Sequence, residues 1–195
     1  MTRIGIIGDI GAGKSYIAKL FGYPVFDADK EVGQLYKKSK KCYKKLKKSL
    51  PNFITSFPIK KSELSNAILA NQKNIKKIVK IIHPEIRIKM DTFIKKNRKR
   101  KFVVLDIPLL IENKINRKND VLVFVSAPKK EINKRLLKRL NFKPKIVEKF
   151  KKIQLNLRLK KEKSDFIIKN NFTKKYLKKD VKRIMQKILN DRNNT

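Results

Sequence analysis

The stretch Ile4-Gly5-Ile6-Ile7-Gly8-Asp9-Ile10-Gly11-Ala12-Gly13-Lys14-Ser15 sets a short apolar run directly before a glycine-rich loop. Gly8 to Ser15 fit the pattern G-x-x-x-x-G-K-[ST] at every fixed position. The flanks agree with it. Arg3–Ile7 has the character of a buried strand, and in Lys14–Phe21 the apolar residues Ile17, Leu20 and Phe21 recur at helical spacing. Each residue type has a physical task. Gly8, Gly11 and Gly13 let the backbone turn inward, so that successive N–H groups point at phosphate oxygens. A helix beginning near Lys14 adds the positive end of its dipole. Lys14 supplies a compact charge for the β- and γ-phosphates, and the Ser15 hydroxyl is a ligand for Mg²⁺. Gly8, Gly11, Ala12, Gly13, Lys14, Ser15 and Tyr16 are the expected nucleotide-binding set, with ATP and Mg²⁺ as the expected cofactors. Such loops serve kinases, GTPases and other ATPases alike, so the acceptor of the phosphoryl group must be sought elsewhere in the chain.

Outward from the loop, Tyr23–Phe26 is a second strand candidate, closed by Asp27-Ala28-Asp29. From Lys30 to about Asn97 lysine-rich helical stretches follow one another, with breaks expected at Pro51–Pro58 and at His83-Pro84, and with no strand signal. Phe102–Ile107 is a strand with an acidic end at Asp106. Val121–Val125 is a fourth, and Phe166–Ile168 a short fifth. Lys129–Leu140 and Lys145–Lys163 are expected as two charged helices joined by a turn at Asn141–Pro144. Tyr176–Leu189 is a final amphipathic helix, and Asp191–Thr195 a tail. Short apolar strands alternating with helices specify an α/β fold with a parallel sheet covered on both faces. The expected organisation is one phosphate-loop domain: a core of residues 1–29, 98–128 and 164–195, a helical insertion over 30–97, and a lid over 129–163.

Carboxylates at strand ends are the candidates for the acceptor side, because ligands of open α/β sheets bind at the carboxyl edge. Asp29 can take the proton of an attacking hydroxyl or reach the substrate, with Asp27 in support; capping of the next helix is the plain alternative for either. Asp106 ends the third strand, where such a residue holds Mg²⁺ through water. Capping of the turn before Pro108 is its alternative, and Glu112 is expected to be structural. Arg135 and Arg139 stand four apart and share a face of the expected helix, which suits a lid stabilising charge on the transferring phosphoryl group. Gln154, Arg158 and Lys160 on the following helix are candidate contacts to nucleotide or substrate phosphates, with a solvated face as the alternative. His83, the one histidine, is a structural or substrate-contact residue. With one His and one Cys, Cys42, no zinc-type cluster and no internal disulfide can be built.

A formal net charge of +37 invites a nucleic-acid partner. The charge comes from 43 Lys against 10 Arg, alongside 25 Ile and 16 Asn, in a chain of 195 residues. Codons for Lys, Ile and Asn are A/T-rich, so a biased genome yields this composition without selection for polyanions. The lysines are spread over several helices rather than one stripe, and no aromatic RNA motif or zinc finger accompanies them. No specific nucleic-acid partner is expected. The apolar runs fall far short of the ~20 residues of a membrane helix, and the glycine loop interrupts any leader-like segment. A soluble, cytoplasmic protein is expected, with the oligomeric state left open.

These residues together resemble dephospho-coenzyme A kinases over nearly the whole chain. The resemblance runs from Ile4–Ser15 through Phe26-Asp27-Ala28-Asp29, His83-Pro84 and Asp106-Ile107-Pro108-Leu109-Leu110-Ile111-Glu112. It continues through Arg135 with Arg139, Gln154, and Ser164-Asp165-Phe166-Ile167-Ile168-Lys169-Asn170. It implies a five-stranded parallel core of the P-loop NTPase type, an insertion holding the coenzyme A end, and a lid. The implied reaction moves the γ-phosphoryl of ATP to the ribose 3′-hydroxyl of dephospho-coenzyme A, the last step of coenzyme A biosynthesis, with Asp29 as base. Lys14, Arg135 and Arg139 would assist the transfer, and Asp27, Asp29, His83, Gln154 and Lys160 would bind substrate. The chain departs from the family pattern at Ile7 and Asp9, which stand where Thr and Gly are more usual. Asp9 should weaken nucleotide binding unless it points away or pairs with a lysine. Phe172 replaces a usual glycine, and Asn141 an acidic residue. A nucleoside or nucleoside monophosphate kinase is the alternative within enzymes, and a basic nucleic-acid-binding ATPase the alternative outside them.

Overall fold

Seven residues near the start of the chain, Thr2–Gly8, form strand β1, and all seven are buried. The computed structural model describes residues 1–140 and 142–193. β1 is followed by β2 (Val25–Asp27), β3 (Phe102–Asp106), β4 (Val121–Ser126) and β5 (Phe166–Lys169). The five run parallel in the order β2-β3-β1-β4-β5, which puts β1 at the centre. Ile4 faces Val104 on one side and Val121 on the other. A strand covered on both faces must be apolar throughout rather than alternating, and Phe102–Leu105 and Leu122–Val125 are buried without a gap. Thr2 and Arg3 are the exceptions in β1, and the Arg3 guanidinium is neutralised by Asp120 at 2.7 Å and also donates to the Ile115 carbonyl at 3.1 Å.

The chain divides into two compact units. The first comprises Met1–Asp27, Asn97–Phe142 and the chain from Gln154 onward, and holds the sheet. Its helices are α1 (Lys14–Leu20), α6 (Lys129–Leu137), α8 (Leu157–Glu162) and α9 (Lys174–Asn193). The second comprises Ala28–Lys96 and Lys143–Ile153 and is helical. It contains α2 (Ala28–Lys38), α3 (Lys40–Ser49), α4 (Lys61–Ala70), α5 (Gln72–Lys96) and α7 (Pro144–Lys151). The stretch 129–163 is thus shared: α6 and α8 belong to the sheet-bearing unit and α7 to the helical one.

Four sequence expectations are corrected. Pro84 does not break its helix, since α5 runs unbroken from Gln72 to Lys96. A helix-interior proline costs about 3 kcal/mol. Ile75, Ile78, Ile82, Ile86 and Met90 form one buried stripe on both sides of it, and each is worth roughly 1.5–3 kcal/mol. Burial wins. Lys145–Lys163 is not one helix but two, α7 and α8. The Asn156 side chain accepts from the Arg158 amide at 2.8 Å and so starts a new helix, while the Leu155 amide is drawn away to Glu112 Oε1 at 3.0 Å. Gln154 therefore lies in the break. α6 ends at Leu137, so Arg139 is not on it: Leu137, Lys138, Arg139 and Leu140 are all exposed, and the Arg139 amide turns back to the Leu136 carbonyl at 3.1 Å. Residues 191–193 belong to α9 rather than to a tail; residues 194–195 and the departure at Asn141 lie outside the described residues.

Candidate active site

Three groups meet at the carboxyl edge of the sheet, where β1 gives way to α1. Gly8 and Gly13 have φ of 145° and 90°, angles that side-chain-bearing residues rarely adopt. Space forbids a side chain as well: a Cβ on Gly8 would lie 2.5 Å from the Val125 carbonyl, and one on Gly13 2.5 Å from the Asn170 amide nitrogen. Gly13 stands directly before α1, so the first N–H groups of the helix lie at the loop. Lys14 folds back across the loop, its Nζ donating to the carbonyls of Asp9 at 2.8 Å and Gly8 at 3.3 Å. Its ammonium is thereby held at the loop, where a phosphate oxygen can replace a carbonyl partner.

Ser15 hydrogen-bonds to Asp106, which is 5% exposed at the end of β3. Burial pushes the Asp106 carboxyl above the usual range; the Ser15 hydrogen bond and the charges of Lys14 and Lys19 pull against that, and Asp27 adds to it. Asp27 is its lateral neighbour, register partner of Asp106 across β2 and β3. Ser15 and Asp106 thus bring oxygen ligands together of the hard type that Mg²⁺ prefers. Among the described residues no group of three or more His, Cys, Asp or Glu is placed to hold a metal ion.

The Asp9 carboxylate is turned onto its own loop, Oδ1 accepting from the Ile10 amide at 2.7 Å. Tyr16 is on α1 and exposed. Arg135 is exposed on α6, its guanidinium carbon 4.4 Å from the centre of the Phe172 ring; Arg139 is exposed in the turn after α6. Lys160 has a setting other than the phosphate contact expected of it. Its side chain is 3% exposed and its Nζ lies 2.6 Å from Glu112 Oε1, so that pair ties α8 to the segment after β3. Arg158 is exposed and paired with Glu162 at 2.9 Å.

In the helical unit, Asp29 is exposed in the first turn of α2, two residues beyond the end of β2. His83 is half-buried on α5; burial, and after it the Arg87 charge, lowers its pKa.

Sequence patterns did not single out Asn170 as a site residue. It is 2% exposed, its Nδ2 donates to the Ala12 carbonyl at 2.7 Å, and its Oδ1 accepts from the Phe172 amide at 2.7 Å. It braces the phosphate loop from the end of β5. The available signal was its place directly after a buried strand in a segment already marked by the family resemblance.

A glycine loop between the central strand and α1, with a strand-end carboxylate on its serine, defines a P-loop nucleotide-binding protein. A family model described as dephospho-CoA kinase matches residues 2–175, and the chain belongs to that family. The dephospho-CoA kinase of Wolbachia pipientis wMel is 35% identical over 190 residues, 95% of this chain and 97% of that protein. A crystal structure of TT1252 from Thermus thermophilus is similar with a TM-score of 0.73 at 25% identity, over 97% of each chain. Dephospho-CoA kinase from Campylobacter jejuni gives a TM-score of 0.61 at 21% identity, over 96% of this chain and 97% of that one, and bears on the fold alone. No helix among the described residues is long and apolar enough to cross a membrane.

Proposed function

We propose that this chain transfers the γ-phosphoryl group of ATP to the ribose 3′-hydroxyl of dephospho-CoA, giving CoA and ADP, with Asp29 as the base. ATP-dependent phosphorylation of dephospho-CoA is the activity of the family to which the chain belongs; the choice of hydroxyl and the roles below are our assignment. The hydroxyl oxygen forms a bond to the γ-phosphorus, the bond to the ADP oxygen breaks, and the hydroxyl proton passes to the Asp29 carboxylate. The loop amides and Lys14 bind the phosphates, Lys14 exchanging the Asp9 carbonyl for a phosphate oxygen. Ser15 and Asp106 would hold Mg²⁺, which when bound neutralises charge on the phosphates. Arg135 meets the nucleotide, and Arg139 stabilises charge on the moving phosphoryl group. Asp27 supports the acceptor end, and His83 and Gln154 are substrate contacts.

The observation that carries the proposal is the junction of Lys14, Ser15 and Asp106 at the end of β1 and β3, with Asp27 beside it. The test is ATP consumption with dephospho-CoA, AMP or a nucleoside as acceptor, with and without a chelator, and with the product weighed by mass spectrometry. A gain of one phosphoryl group on dephospho-CoA alone, abolished by the chelator, is expected. Turnover with AMP or a nucleoside and none with dephospho-CoA would sink the proposal.

A further inference from the structure

Phe172 carries a left-handed backbone, φ 62°, where glycine would take the same angles without strain. Its amide is fastened to Asn170, the side chain that also braces Ala12. Its ring lies against the loop: a Cβ on Gly13 would stand 3.7 Å from Phe172 Cε1. Over that ring sits the Arg135 guanidinium, 4.4 Å from its centre, within the range of a cation–π contact. Arg135 comes from α6, and α6 itself rests on the loop, with Ile132 Cγ2 and Leu136 Cγ at 3.0 and 3.1 Å from where a Cβ on Gly11 would be.

We propose that Phe172 is a positioning residue, whose ring holds Arg135 beside the phosphate loop before the nucleotide arrives. This rests on Arg135 being a nucleotide contact. An exposed arginine has many rotamers to lose when it binds an anion, and a side chain ordered in advance loses less on binding. A guanidinium carries five N–H donors, and a contact with one ring need not occupy them all, so the contact need not break when ATP binds. A strained aromatic at a glycine position is thereby explained by what the ring does rather than by what the turn requires.

The experiment measures kcat/KM for ATP at saturating dephospho-CoA, together with Tm, for Phe172→Gly, Phe172→Leu, Phe172→Tyr, Arg135→Ala and Arg135→Ala with Phe172→Gly. Phe172→Gly and Phe172→Leu should each lower kcat/KM about two- to five-fold, the worth of an exposed cation–π contact. Phe172→Tyr, which keeps the ring, should stay near wild type. In the Arg135→Ala background Phe172→Gly should change kcat/KM no further, because the two residues act as one. Additive losses in the double variant, or wild-type kcat/KM in both Phe172→Gly and Phe172→Leu, would overturn the proposal. Wild-type ATP kinetics in Arg135→Ala would instead remove the nucleotide role of Arg135, and the proposal with it. Tm enters as the control: a structural role alone would lower Tm in step with the lost ring and leave Arg135→Ala and Phe172→Gly independent.

Discussion

Lys160→Met separates two roles for a lysine that sequence alone marked as a phosphate contact. The Lys160 ammonium and the Glu112 carboxylate are 2.6 Å apart at 3% and 8% exposure. At an effective dielectric of 20 their attraction is about 6 kcal/mol. Removing two ions from water costs several kcal/mol each, so the intact pair is close to neutral for stability. Breaking it is not. Methionine fills the space of the lysine stem but leaves Glu112 charged and buried, a loss of about 3–5 kcal/mol. For a chain of this length that loss corresponds to a fall in Tm of about 6–20 °C. Thermal unfolding of Lys160→Met and of Lys160→Met with Glu112→Leu at pH 7 measures this. The double variant should recover most of the loss. A fall under ~2 °C at pH 7, joined to a several-fold rise in KM for either substrate, would refute the structural role and return Lys160 to the phosphates.

Asp29→Asn keeps the size of the side chain but cannot take a proton. Its turnover should fall ~10²–10⁴-fold with nucleotide affinity little changed, and activity within a few-fold of wild type would point to Asp27 or Asp106 as base. Gly13→Ala puts a methyl group 2.5 Å from the Asn170 amide nitrogen at φ 90°. It should reduce nucleotide binding, measured by calorimetry, at least ten-fold, and normal affinity would count against the loop geometry. Glu63 accepts hydrogen bonds from Thr55, Ser56 and Lys60. Burial alone would raise its pKa, but those bonds more than offset that and hold it at about 2. Its folded pKa is depressed, so the stability it contributes is present above about pH 4.5 and is lost as pH falls toward 2. Glu63→Gln should cost about 1–2 kcal/mol at neutral pH and flatten the unfolding profile over that acid window, whereas a parallel profile would show that Glu63 does not couple to folding.

Much of the sheet was legible because its signals are local and mutually consistent. A strand buried on both faces must be a continuous apolar run, and the loop after β1 needs glycine where φ is positive. The helical character of residues 30–97 was legible for the same reason. What escaped notice depends on partners distant in the chain. Pro84 is tolerated because the stripe from Ile75 to Met90 is buried, and burial is not written at the proline. α8 begins where it does because Glu112, over 40 residues away, draws off an amide. Lys160 looks like any other lysine until its partner is known. Asn170 acts on Ala12, 158 residues earlier, and its place after β5 does not say which carbonyl it meets. Phe172 could be recognised as out of place at a glycine position, but not as the seat of Arg135.

The central position of β1 has a consequence for how the chain is made. Its sheet neighbours are β3, which begins at residue 102, and β4, which begins at residue 121. At a synthesis rate of ~5–20 residues per second, the first strand waits roughly 5–20 s before any partner for its central position exists. In that interval seven residues destined for full burial have no sheet to join, while α2 to α5, whose contacts are near neighbours in sequence, can already form. Helices α2 to α5 are then the first part able to fold, α7 joins them only once residue 151 is made, and the nucleotide site comes last. Its brace at Asn170 reaches the loop only after almost nine-tenths of the 195 residues have been joined.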